Sequence, residues 1–87
     1  NGTLQNTFRL HANRVMALVA MPDNQHALSG SYDGTVKLFN VNDGAVLRTF
    51  KHHTRGVNCL ALLPDGLRFI SGSQDFRARV AHHGLAA

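Results

Sequence analysis

The chain has 87 residues, 44% of them hydrophobic, with nine Lys and Arg against five Asp and Glu, for a net charge of +4. That length holds at most one small domain, and the ordinary hydrophobic content excludes a disordered tail. No apolar run approaches the roughly 20 residues of a membrane helix, and the single cysteine, Cys59, excludes an intrachain disulfide and favours a reduced, intracellular setting, cytoplasmic or nuclear.

In chain order, residues 3–8 (TLQNTF) predict a strand introduced by Gly2. Residues 14–21 (RVMALVAM) form a near-continuous apolar run, the pattern of a strand covered on both faces. Pro22-Asp23-Asn24 predicts a turn, and 26–31 (HALSGS) a third strand. Asp33-Gly34 is the signal of a two-residue type I′ hairpin. Residues 35–41 (TVKLFNV) alternate, with Val36 and Leu38 on one side and Lys37 on the other. Asn42-Asp43-Gly44 turns the chain into a strand at 45–50 (AVLRTF). The order then repeats: an apolar strand at 56–63, a turn at Pro64-Asp65-Gly66, and a strand at 67–73. Beyond Asp75 the match decays. Phe76-Arg77 replace Gly34-Thr35, and AHHGLAA at the end reads as no strand. Nothing has helical period, and no linker divides the chain.

The repeat is explicit. His11, Val15, Leu18, Pro22, Asp23, Ser29, Gly30, Ser31 and Asp33 recur as His53, Val57, Leu60, Pro64, Asp65, Ser71, Gly72, Ser73 and Asp75, all at an offset of 42 residues. Gly2, Thr7 and Phe8 match Gly44, Thr49 and Phe50 in the same register. A fixed period of this size marks an architecture whose units bury their apolar faces against neighbours. The pattern resembles the WD-repeat β-propeller, whose blades run about 40–45 residues.

That resemblance implies an all-β fold of four-stranded antiparallel blades, about two blade equivalents here. They would belong to a larger ring, built by oligomerisation or as a fragment of a longer propeller. Residues 1–10 would then be the outer strand of a preceding or neighbouring blade, 11–50 a complete blade, 51–81 an incomplete one, and 82–87 an irregular tail. The first strand could complete the last blade of a neighbouring copy, joining 3–8 to the strand at 77–81.

Each copy carries a His, a Ser and an Asp, the residue types of nucleophilic catalysis. The resemblance implies a different role for His11, Ser29, Asp33 and for His53, Ser71, Asp75: a buried hydrogen-bond network that clamps the loop before a blade to its hairpin. In the family a Trp joins this network, and here its position holds Phe39, then Ala81. Asn40 and His82 stand where an Asp follows that Trp. No catalytic site is expected. His52-His53 and His82-His83 suggest no metal site, since neighbours on a strand point to opposite faces. Cys59 reads as a small core residue, no glycine-rich phosphate loop is present, and no cofactor is expected.

Partner binding in the family uses the surface of the hairpin turns and of the loops before each first strand. Carried over, it falls on Arg14, Met16 and Tyr32, then Gly56, Asn58 and Gln74. Of these, Arg14, Met16, Tyr32, Asn58 and Gln74 are the candidate contacts. Arg, Met and Tyr are enriched at interface cores. The expected function is a non-enzymatic protein–protein interaction scaffold or assembly subunit, with other proteins, further blades or copies of itself as partners, and no membrane. The alternative is a basic segment that contacts nucleic acid or a ribonucleoprotein surface through residues such as Arg68, Arg77 and Arg79.

Overall fold

A computed structural model describes residues 10, 11, 13–51, 53, 55–75 and 77–85. The predicted strand at 3–8, and its joint with a neighbouring copy, lie outside the described residues, as do His52 and Phe76. The described strands are β1 (Val15–Ala20), β2 (His26–Ser31), β3 (Val36–Asn40), β4 (Val46–Phe50), β5 (Val57–Leu62), β6 (Arg68–Ser73) and β7 (Ala78–His82). They form two antiparallel sheets, one of order β1-β2-β3-β4 and one of order β5-β6-β7. No helix of the structure is long and apolar enough to cross a membrane among the described residues.

The sequence period becomes a register period. Leu18 faces Ser29 across β1 and β2, and Leu60 faces Ser71 across β5 and β6. Both first strands carry an irregularity at the same point, between Val15 and Ala17 and between Val57 and Cys59. Such a bulge reverses the alternation locally. Val57 therefore shares a face with Leu60 and Leu62, and Cys59 and Ala61 occupy the other.

The core lies between the two sheets. The first contributes Leu28, Val36, Leu38 and Phe50, and the second contributes Val57 and Phe69, with Leu60, Leu62 and Ala81 packed beside them. Phe50 and Phe69 meet edge to face, centroids 5.0 Å apart at 72°, the arrangement that ring quadrupoles favour. Close approach depends on Gly30. A Cβ there would stand 2.7 Å from Val57 Cγ1, nearer than real side chains come.

Two readings of the apolar runs are corrected here. β1 is covered on one face only: Val19 lies opposite buried Leu28, whereas Leu18 is 65% exposed and Val15 47% exposed. The second sheet covers one side of the first, and nothing among the described residues covers the other. For the same reason Cys59 is exposed rather than a core residue. It lies with Ala61 and the 57%-exposed Val80 on the outer face of the second sheet.

The hairpin at Asp33-Gly34 is also not a two-residue type I′ turn. Ser31 and Thr35 close it through Ser31 N–H to Thr35 O at 3.1 Å, leaving a three-residue loop. Only Gly34 of that loop has positive φ, +88°, whereas type I′ needs it at both central residues. Asp33 stays in the ordinary region, and its carboxylate receives the Thr35 amide at 2.9 Å.

The C-terminal end differs from expectation as well. β7 runs through Ala81 and His82, paired with Phe69 and Arg68, and His83 is 1% exposed. Its Nε2 donates to Gly66 O at 2.7 Å, and its Nδ1 accepts from the Leu85 amide at 3.0 Å. Backbone pairing to β6 supplies the strand that the residue types of AHHGLAA do not suggest.

Candidate functional site

Two sets of side chains gather at the hairpin end of the sheets. The inner set is the His–Ser–Asp network. His11 Nδ1 lies 3.1 Å from Asp33 Oδ2, and His11 Nε2 lies 2.7 Å from the Ser29 hydroxyl. In the second copy the distances are 3.4 Å from His53 to Asp75 and 2.8 Å from His53 to Ser71. A carboxylate at Nδ1 requires N–H there, so Nε2 accepts from the serine. Each serine therefore spends its proton on the imidazole and lies fully buried. That order of bonds is also the order of a nucleophilic triad, and burial is what separates the two: a nucleophile needs an oxygen that a substrate can reach. Burial acts against ionised Asp33, but the Thr35 hydroxyl and amide, then His11, outweigh it and hold its pKa below the ordinary 3.8.

Phe39, where the network's Trp would stand, is buried opposite Ala27. It contributes packing and no N–H, and no buried side-chain polar atom among the described residues is left unbonded.

The outer set is the rim. Tyr32 N–H donates to Arg14 O at 2.9 Å, and the Ser31 hydroxyl donates to the same carbonyl at 2.7 Å. At the matching place Gln74 N–H and the Ser73 hydroxyl converge on Gly56 O, at 3.0 and 2.8 Å. These bonds pin each loop to its hairpin and fix where rim side chains start. The Arg14 guanidinium stands 5.7 Å from the centroid of the Tyr32 ring, within cation–π range. Tyr32 lies directly on Gly56, where a Cβ would meet Tyr32 Cδ1 at 2.9 Å and its Cα at 3.0 Å. Between the sheets, Tyr32, Arg55, Gly56 and Gln74 line a cavity of about 270 Å³.

The structure thus joins Arg14, Tyr32, Gly56 and Gln74 into one patch. Met16 and Asn58 are exposed at the two strand irregularities and do not line the cavity. Arg55 was not singled out from the sequence. The equivalent position of the first copy is Asn13, so no repeated pattern marks it. Adjacency to Gly56 was the one available signal.

At the opposite end a second cavity of about 260 Å³ is lined by Met21, Pro22, Asp23, Asp65, Gly66, His83 and Leu85. Its two carboxylates serve their own turns. Asp65 accepts from the Leu67 amide at 2.8 Å and from Arg68 Nε at 2.8 Å, which lower its pKa to about 2. Asp23 accepts from the Gln25 amide and from His26, and its pKa is lowered too. That end carries turn chemistry, and among the described residues no group of His, Cys, Asp and Glu could hold a metal ion.

A four-stranded sheet stacked on a three-stranded repeat of its first three strands, with paired His–Ser–Asp clamps under a variable rim, defines a propeller-blade repeat. The family model described as WD domain, G-beta repeat matches residues 2–40 and 44–81, and the chain belongs to this family. No curated protein matches it. WD40 repeats form protein–protein interaction or scaffold modules and are typically non-enzymatic.

Proposed function

We propose that this chain is an assembly subunit and binding scaffold that takes protein partners across its hairpin rim, at Arg14, Tyr32, Arg55 and Gln74. One observation carries the reading. The His, Ser and Asp repeated in both copies are spent on the inner clamps, while the rim residues differ between copies and gather exposed at the joint between sheets. Tyr32 is 43% exposed and yet held by its backbone and by Gly56, the combination of rigid aromatic and open surface typical of interface anchors.

A photo-crosslinking residue at Gln74 tests this against one at Gln25, at the opposite end. Partner adducts are expected at Gln74 alone, and equal labelling at both positions would overturn the assignment.

The two outer faces support the assembly part. Val15 and Leu18 stand where Val57 and Leu60 are packed in the joint, and Val80 stands where Leu38 is buried. Further blades, from copies of this chain or from elsewhere, would cover them as the second sheet covers the first. Native mass measured at increasing protein concentration is expected to rise. A strict monomer that stays folded would overturn self-assembly.

A further inference from the structure

We infer that Arg14, Tyr32 and Arg55 form a clamp for a carboxylate side chain on an extended acidic peptide, an inference that rests on the rim being the binding surface. Among the described residues neither Arg14 nor Arg55 takes part in an ion pair, whereas Arg68 is bound to Asp65 at 2.8 Å. Both residues border Tyr32. Arg14 stacks toward Tyr32, and Arg55 lines the open hollow that it shares with Tyr32, Gly56 and Gln74. An incoming carboxylate would meet planar N–H donors of arginine, the pairing in which guanidinium geometry exceeds that of lysine. The Gln74 side chain adds an amide at the same mouth.

The combination arises only at the joint. The equivalents of Arg55, Gly56 and Gln74 in the first copy are Asn13, Arg14 and Tyr32. One side of the clamp therefore comes from each repeat. The choice of a peptide over a nucleic acid rests on the spread of the basic residues along the chain. The remaining basic residues are dispersed, where nucleic-acid binding wants a continuous track.

Fluorescence anisotropy with the whole chain and a short labelled glutamate-rich peptide tests the clamp. The counterpart with glutamine for glutamate is expected to bind about tenfold more weakly, and Arg14→Ala and Arg55→Ala to weaken the acidic peptide about five- to tenfold each. Arg79→Ala, on exposed β7, is expected to change nothing. Circular dichroism checks that each variant keeps its fold. Equal binding of both peptides, lost on Tyr32→Ala, would overturn the clamp and leave the rim standing. Binding indifferent to Tyr32, Arg14 and Arg55 would overturn both. A single-stranded oligonucleotide that binds more tightly, with Arg79→Ala as harmful as Arg55→Ala, would overturn the choice of a peptide.

Discussion

Gly30 and Gly72 occupy the same position in the two repeats and face different surroundings, which makes them a matched pair. A Cβ at Gly30 would lie 2.7 Å from Val57 Cγ1, 3.3 Å from Val57 Cβ and 3.4 Å from Leu60 Cδ1. Val57 is fully buried and cannot swing aside. Gly30→Ala must therefore separate the sheets or strain the valine, an overpacking that costs about 1–3 kcal/mol. Against this, alanine restricts the unfolded chain and returns about 0.4–1 kcal/mol. A Cβ at Gly72 meets only the Cys59 sulfur at 2.7 Å, and an exposed side chain can rotate away. Gly72→Ala is therefore expected to be neutral or slightly stabilising. Urea unfolding followed by far-UV circular dichroism measures both, and thermal melts should separate them by about 4–8 °C per kcal/mol. Val57→Ala in the Gly30→Ala background makes room for the added methyl, so the double mutant should be more stable than the sum of the single costs, with a coupling of about 0.5–3 kcal/mol. Equal costs at the two glycines, or a strictly additive cycle, would refute the account of the joint.

Other consequences follow from the clamps and the turns. His11→Ala leaves the buried Ser29 hydroxyl without its acceptor and removes one of the donors to Asp33, which keeps the Thr35 amide and hydroxyl, so a loss of about 1–3 kcal/mol in urea unfolding is expected. His53→Ala should cost somewhat less, because the His53–Asp75 contact is 3.4 Å against 3.1 Å for His11–Asp33. Asp23, Asp33 and Asp65 all have folded pKa values below 3.8, with Asp65 at about 2. Lowered values mean that the unfolded chain binds protons first. Their contribution is complete above the unfolded pKa, near pH 4, and is lost as pH falls toward 2. Thermal melts across that window should show a steady decline, and Asp65→Asn should make it shallower.

Legibility in the sequence divides along the same line as the chemistry. The strands, the turns and the clamp residues announce themselves because a blade cannot close without them. His11 and His53 each need a serine and an aspartate at fixed registers, so the spacing repeats. What the sequence hid was whatever depends on the neighbour. The runs at 14–21 and 56–63 look alike whether or not another sheet covers their second face, and only the packed pair shows Leu18 and Cys59 open. The loop at Asp33-Gly34 carries the dipeptide of a tighter turn, and the third residue is set by the carboxylate of Asp33 reaching Thr35 and His11. β7 was obscured by Ala81 and His82, poor strand formers whose conformation is imposed by pairing to β6. The counterpart of Arg55 in the first copy is Asn13, and only a tertiary contact with the loop of Tyr32 brings Arg55 to the rim.

Under the proposed clamp the rim crosses the joint, and recognition is coupled to assembly. Tyr32 belongs to the first repeat, and Arg55, Gly56 and Gln74 to the second, so a peptide that touches both can bind well only while the sheets remain stacked. Such a ligand stabilises the stacked state by linkage, about 2.7 kcal/mol when present at a hundredfold excess over its dissociation constant. The glutamate-rich peptide should therefore raise the melting temperature of the chain. It should fail to do so for Arg55→Ala at the same concentration, while the melting temperature of that variant without peptide stays unchanged. A peptide that binds without raising the melting temperature would have to sit on one sheet alone, and the clamp drawn across two repeats would be wrong. Conversely, anything that loosens the joint, Gly30→Ala included, should weaken the peptide although it touches none of the residues that hold it.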